Sequence, residues 1–195
     1  MSQPKINLLP HLIIASIVFM LFIFIGTQLP SDVTSELMSQ LEESLSPLAS
    51  MGSLSLITVI FINNTLKCLI IIISGILLGL PSLAFICINA VTVGMLTAYL
   101  GASTSLGVII AALAPHGIIE IPLLVVSTAM GLAIGSETLK FLTRQKSTVK
   151  AHYIYSLKIY LKGMLALFLL AAVIEVLLTP IIISLAGGID SLIIP

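Results

Sequence analysis

Pro115-His116-Gly117-Ile118-Ile119-Glu120-Ile121-Pro122 interrupts a run that is otherwise apolar from Leu106 to Ile134. The stretch holds two helix-breaking prolines, a glycine and an ionisable pair. Lipid offers no hydrogen bonds, so irregular backbone and a carboxylate persist there only when buried in protein or lining a wet cavity. Some other part of the chain must therefore stabilise Glu120. This requirement is the strongest functional signal in the sequence.

The composition is that of a membrane protein. Of the 195 residues, 58% are hydrophobic and 8% are charged, and several apolar runs approach or exceed the roughly 20 residues that cross a bilayer. The net charge of zero gives no indication of nucleic-acid binding. Cys68 and Cys87 fall within apolar runs, which favours free buried thiols over a disulfide. We predict an all-α fold, a polytopic transmembrane helical bundle that forms one domain over 1–195.

Hydropathy and charge together predict five spans and their direction. The spans are expected at about 8–28, 54–79, 83–100, 106–135 and 163–186. The first is interpreted as a retained span rather than a signal peptide, because no small-x-small cleavage site follows it. Six of the eight Lys and Arg residues fall in 137–162, which we predict to be a basic cytoplasmic segment. The protein is then a multi-pass protein of the cell membrane, with its amino terminus cytoplasmic and its carboxyl terminus outside.

The fourth span is predicted to be broken or strongly kinked. It must cross once, because a re-entrant hairpin would leave the basic segment on the outer side. A straight helix of its length would measure roughly 44 Å against a hydrocarbon core of about 30 Å. Pro115 and Pro122 each remove a backbone donor, and Gly117 loosens the turn between them. The alternative is a proline kink without a functional role.

Two polar segments are expected to lie along the membrane surface. In the outer segment 32–48, apolar residues recur every fourth position among serines and glutamates, as in an amphipathic helix: Val33, Leu37, Leu41 and Leu45. This helix could dock a partner or pack against lipid and its own bundle. The basic segment 137–162 should attract anionic headgroups, although orientation of the chain alone suffices to explain its charges.

Small residues at four-residue spacing predict close helix packing, since they let helix backbones approach where hydrophobicity cannot drive association. The positions are Gly75 and Gly79 in the second span, Ala90 and Gly94 in the third, and Ser127, Gly131 and Gly135 in the fourth.

A set of polar residues falls near mid-depth of the predicted spans, and we predict that it forms a functional cluster: Asn63, Asn64, Lys67, Asn89, His116, Glu120 and Glu175. The apolar residues of the second span offer roughly 5 to 9 kcal/mol of insertion free energy, of which Lys67 alone offsets about 3. That span therefore needs partners in the folded bundle. Our preferred pairing joins Lys67 to Glu120 and leaves Glu175 neutral or facing water. The alternative is a buried polar network that only fixes helix register.

These positions also resemble a known family. The asparagine pair Asn63-Asn64, Gly75 and Gly79, Asn89, the element Pro115-His116-Gly117-x-x-Glu120-x-Pro122, and Gly131 with Gly135 resemble the stage II sporulation protein M family of integral membrane proteins. The likeness runs from about residue 55 to 190, and the Pro-His-Gly-x-x-Glu element is its specific part. It implies a helical membrane protein of about five spans. In spore-forming bacteria it also implies a membrane anchor for partner peptidoglycan hydrolases during engulfment.

Three functions are compatible with the sequence. The first is a non-enzymatic scaffold or anchor that recruits partner proteins of the membrane or envelope. The second is a small ion-coupled transporter that uses the buried polar residues and the broken helix, with a homodimer completing its pathway. The third is an intramembrane hydrolase or metal enzyme built on His116 and Glu120. We expect no cofactor and no metal, because a zinc site needs three or four protein ligands and the other histidines fall elsewhere. The bilayer is the one partner that composition requires.

Overall fold

The computed structural model describes residues 6–187, apart from the side chains of Ala49, Pro115 and His116. Every regular element in this part of the chain is helical. The helices are α1 (Leu9–Thr27), α2 (Ser31–Ala49), α3 (Ser53–Ile73), α4 (Leu80–Gly101), α5 (Leu106–Leu142), α6 (Val149–Ile159), α7 (Leu165–Leu177) and α8 (Thr179–Leu185). A 3-10 turn, Ser74–Ile76, follows α3, and a π-helical turn, Tyr160–Met164, joins α6 to α7.

The described residues contain five helical stretches that are long and apolar enough to cross a membrane. They are Leu9–Thr27, Ser53–Ile76, Leu80–Gly101, Gly117–Leu142 and Val149–Leu177. Large apolar side chains cover their outer surfaces, as expected for helices that face lipid. The predicted fold class, an all-α bundle of about five spans, is confirmed.

Helix α5 occupies the centre of the bundle. It packs against α1, α3, α4 and α7, and its second half is the most buried of the five candidate spans. Ser105 caps its start by accepting a hydrogen bond from the backbone N–H of Val108. A helix surrounded in this way presents side chains to all its neighbours at once. A polar group on α5 is therefore able to contact several spans.

The sequence predicted a broken or kinked fourth span, and a break is wrong. Helix α5 continues from Leu106 to Leu142 through Pro115, Gly117 and Pro122. Neighbouring helices hold the segment in place, and transmembrane helices tolerate proline when their surroundings satisfy the freed carbonyl groups. The 37-residue helix measures about 56 Å, so its ends extend past a hydrocarbon core of about 30 Å. A kink within this continuous helix stays a prediction.

The basic segment 137–162 is part of the bundle rather than a separate surface segment. Its first residues end α5, and from Val149 onward it is helical and continuous with α7. Tyr160 is 2% exposed and donates to the carbonyl oxygen of Thr65 in α3 at 2.8 Å. The aromatic residues in this segment explain the difference, because they supply buried contacts that a charge count does not reveal.

Candidate functional site

A small polar cavity lies between α3, α4 and α5. Its polar lining consists of Asn64, Lys67, Asn89 and Glu120, and apolar side chains from α1 and α7 close it. Glu120 is 5% exposed and Asn64 is 8% exposed. The Lys67 ammonium donates to Oδ1 of Asn89 at 3.4 Å. Four of the seven polar residues predicted as a cluster therefore line one cavity.

The helix positions of these residues follow from their spacing. Asn64 and Cys68 lie four apart on the face of α3 that is buried, and Lys67 lies beside them at its edge. On α4, Asn89 turns its amide back to the carbonyl oxygen of Phe85 at 2.7 Å, which leaves its own oxygen for Lys67. Glu120 reaches the cavity from the central helix. Each of the three helices thus contributes a polar group at the same depth.

The volume of the cavity limits its chemistry. It measures about 30 Å³, and roughly 10–15 Å³ of such space holds one water molecule. One or two waters or a small cation fit, whereas an organic solute does not. An ammonium and a carboxylate around such a space can neutralise one another or share a water. The arrangement suits charge pairing, hydration or proton exchange.

The other predicted members of the cluster lie elsewhere or outside the described residues. Asn63 is exposed, and its amide donates to Oδ1 of Asn64 at 3.5 Å. Glu175, half-buried on α7, is not among the described residues that line the cavity. The side chains of His116 and Pro115 lie outside the described residues, so their roles stay predictions.

Glycines bring α5 close to the turns that follow α3. A Cβ on Gly75 would lie 2.7 Å from the Cα of Gly131, and one on Gly135 would lie 2.8 Å from the Cα of Gly79. Gly79 has a φ of 74°, a left-handed conformation that favours glycine, and it forms the turn between α3 and α4. These contacts place α5 directly on the 3-10 turn after α3 and on the turn that Gly79 forms.

Sequence analysis missed a second polar cluster, centred on Glu137. This carboxylate is buried, although it sits one turn from the end of α5. It accepts hydrogen bonds from the Lys140 ammonium, from the backbone N–H of Thr148 at 2.7 Å and from the Thr148 hydroxyl at 2.9 Å. Ser147 donates to its backbone oxygen. Glu137 therefore joins the end of α5 to the start of α6.

One signal could have identified Glu137: it is the single acid among the basic residues of 137–162. Thr148 also contacts Nδ1 of His152 at 3.2 Å, which extends the cluster along α6. Within the described residues, no group of three or more His, Cys, Asp or Glu side chains could hold a metal ion. The side chain of His116, the candidate ligand, is outside that set.

Comparison with known proteins now identifies the family. The model of the stage II sporulation protein M family matches residues 12–180. The chain belongs to this family. The match confirms the resemblance seen in the sequence, and with the five apolar helices it establishes a multi-pass membrane protein.

A relative in another organism is similar over part of its length. An uncharacterized protein of Methanocaldococcus jannaschii is 29% identical over 136 residues, which are 68% of this chain and 60% of that protein. The chain thus spans less than two thirds of the relative's length. No solved structure matches this member of the stage II sporulation protein M family.

Proposed function

We propose that this protein is a non-enzymatic membrane anchor that holds partner proteins at the cell membrane. Family membership supports this role, and so does helix α2, the observation that carries the proposal. Helix α2 packs against α4 through few residues, and among its described side chains only Thr34 and Met38 are buried. The exposed residues of the helix can contact another protein.

The exposed part of α2 combines two features of a binding surface. Val33, Leu37 and Leu45 are 38%, 40% and 48% exposed and lie on the side of the helix that also carries the buried Thr34 and Met38. Acidic residues surround them: Asp32, Glu36, Glu42 and Glu43 are all exposed. A groove of about 480 Å³ opens between α2, α1 and α4, and Leu37 and Leu41 line it. Apolar anchors within a polar rim are typical of protein interfaces.

Replacing Val33, Leu37 and Leu45 together by serine should reduce partner recovery by about tenfold or more, because buried apolar anchors supply much of the binding energy of an interface. The measurement is cross-linking in native membranes followed by quantitative recovery of the chain and its partner. The matched control replaces Ser35, Ser39 and Ser46 by alanine, since these exposed hydroxyls only bond carbonyl groups of their own helix. Equal recovery with both variants would contradict the role of α2.

The polar cavity favours a second candidate, an ion-coupled transport protein. Ionisable residues inside membrane helices often mark proton or cation pathways, and the volume of about 30 Å³ admits species of that size. On this hypothesis, purified protein in vesicles should carry a proton or cation flux, and Glu120→Gln should abolish it. No flux above that of empty vesicles would reject the transport role, and flux that persists in Glu120→Gln would reject the role of the cavity in it. The matched control is Glu137→Gln, which removes a carboxylate outside the cavity.

A further inference from the structure

Lys162 lies level with the middle of the candidate span Ser53–Ile76, which contains α3. Contacts made by two residues of the same helix, one before Lys162 and one after it, determine its depth. Before it, Tyr160 donates to the carbonyl oxygen of Thr65, at the centre of the 24-residue span Ser53–Ile76. After it, Phe168 lines the cavity that also holds Asn64. Lys162 lies between two contacts to the middle of α3, so it is located deep within the bundle's apolar zone.

Lys158 lies in the same zone, one helical turn before Lys162. It falls between Tyr153, whose hydroxyl donates to the carbonyl oxygen of Ile73, and Tyr160. The α3–α4 turn marks the end of the apolar zone, because Leu77 and Leu80 there are still 61% and 64% exposed. Both lysines therefore lie deeper in the apolar zone than these exposed leucines.

Both lysine side chains point away from the rest of the chain. They are exposed, and within residues 6–187 no carboxylate pairs with either of them. Lysine is among the costliest residues to hold in hydrocarbon. The four-carbon stem of Lys162, the deeper of the two, covers less than half of the roughly 15 Å from bilayer centre to headgroups. Some other molecule must supply the opposite charge.

The surface beside Lys162 permits another helix to approach closely. Gly163 and Ala166 are exposed, and a Cβ on Gly163 would meet no atom within 4 Å. Small residues allow close helix contacts in lipid. The π-helical turn Tyr160–Met164 lies at this position. Such turns are rare in proteins, and those that occur are often found at functional sites. We name the exposed residues Lys158, Lys162, Gly163, Ala166 and Leu169 the lysine face.

We propose that the lysine face binds a transmembrane helix of another protein, one that carries an aspartate or glutamate near the bilayer centre. Charge complementarity specifies this partner. A second copy of the chain does not fit, because a two-fold axis along the membrane normal would place Lys162 opposite Lys162 at equal depth. The inference deepens the anchor role and rests on it in one respect, namely that the recruited molecule is a protein.

A defined probe tests the proposal. The full chain, labelled with a donor dye at its amino terminus, is reconstituted in phosphatidylcholine vesicles with acceptor-labelled, leucine-rich transmembrane peptides. One peptide has a central aspartate, and the matched peptide has leucine there. The aspartate peptide should associate with the chain by energy transfer, and Lys158→Leu with Lys162→Leu should weaken that association by about tenfold. The control, Lys146→Leu with Lys150→Leu, removes equal charge at the end of the bundle and should leave it unchanged.

Each result decides the proposal. Equal association of both peptides, or an unchanged affinity in Lys158→Leu with Lys162→Leu, would overturn it. Energy transfer can also be measured between two labelled copies of the chain. If Lys158→Leu with Lys162→Leu abolished that transfer, the lysine face would be a self-association surface and the proposal would be overturned. The variant's thermal unfolding midpoint should not fall, since leucine replaces lysine at exposed positions; this excludes misfolding. If the α2 substitutions released a native partner and the lysine substitutions did not, the anchor role would stand and the proposed role of the lysine face would be refuted.

Discussion

Gly94→Ala should lower the free energy of unfolding by about 2 kcal/mol, even though alanine favours a helix over glycine by up to about 1 kcal/mol. At this position α4 crosses α1, its most extensive packing partner in the bundle. A Cβ on Gly94 would overlap the carbonyl oxygen of Ile23 and lie 3.0 Å from the Cα of Gly26. Both are backbone atoms, which cannot rotate away. The helices must separate, and the contacts along the whole crossing weaken.

The measurement uses the protein's own thiols. Cys68 is 3% exposed, so its reaction with a thiol-reactive fluorophore during heating reports unfolding in detergent or lipid nanodiscs. The matched control is Gly101→Ala on the same helix, where the nearest atom to a new Cβ is a side-chain carbon 3.9 Å away. We expect Gly101→Ala to retain the wild-type midpoint. If both alanine variants unfolded at the same temperature, the close crossing of α1 and α4 would be refuted.

The spacing of small residues predicted part of this packing. Four-residue repeats identified Gly75, Gly79, Gly131 and Gly135, since close backbone approach has a sequence period. Spacing does not state which helices meet, however. The contact of Gly94 with α1 depends on Gly26, which stands alone in an apolar run and therefore carries no repeat signal. Packing partners are a property of the assembled bundle, and one helix's sequence does not contain them.

Charge and hydropathy predict different features of this chain. Apolar periodicity and run length predicted the number of spans, because burial in lipid acts on every residue of a span. Counting basic residues predicts a cytoplasmic segment that includes Lys158 and Lys162, but it does not reveal that tyrosines of the same segment donate to carbonyl groups of α3. Glu137 was missed because its hydrogen-bond partners are not evident from its neighbours in sequence. Thr148 lies across the loop before α6, and Lys140 lies in the last turn of α5.

Lys67→Gln and Glu120→Gln should each lower the free energy of unfolding by about 3–5 kcal/mol, and the double substitution should cost less than either. Both side chains line the cavity of about 30 Å³. Removing one charge leaves the other, the buried Glu120 or the half-buried Lys67, in a medium of low dielectric constant, whereas removing both leaves neutral amides that can bond to Asn64 and Asn89. Direct electrostatic coupling therefore predicts strong non-additivity. The fluorescent thiol assay measures all three variants under the same conditions.

Glu137 provides the matched control for this cycle, because it is a buried carboxylate that already accepts hydrogen bonds from Lys140 and Thr148 at the far end of α5. Lys67→Gln combined with Glu137→Gln should be additive within about 0.5 kcal/mol, as for sites with no shared partner. If the Lys67 and Glu120 substitutions were additive to the same degree, the two charges would be stabilised separately. The cavity would then be a set of local hydrogen bonds, and neither a charge pair that holds α3 on α5 nor a coupled proton site would exist there.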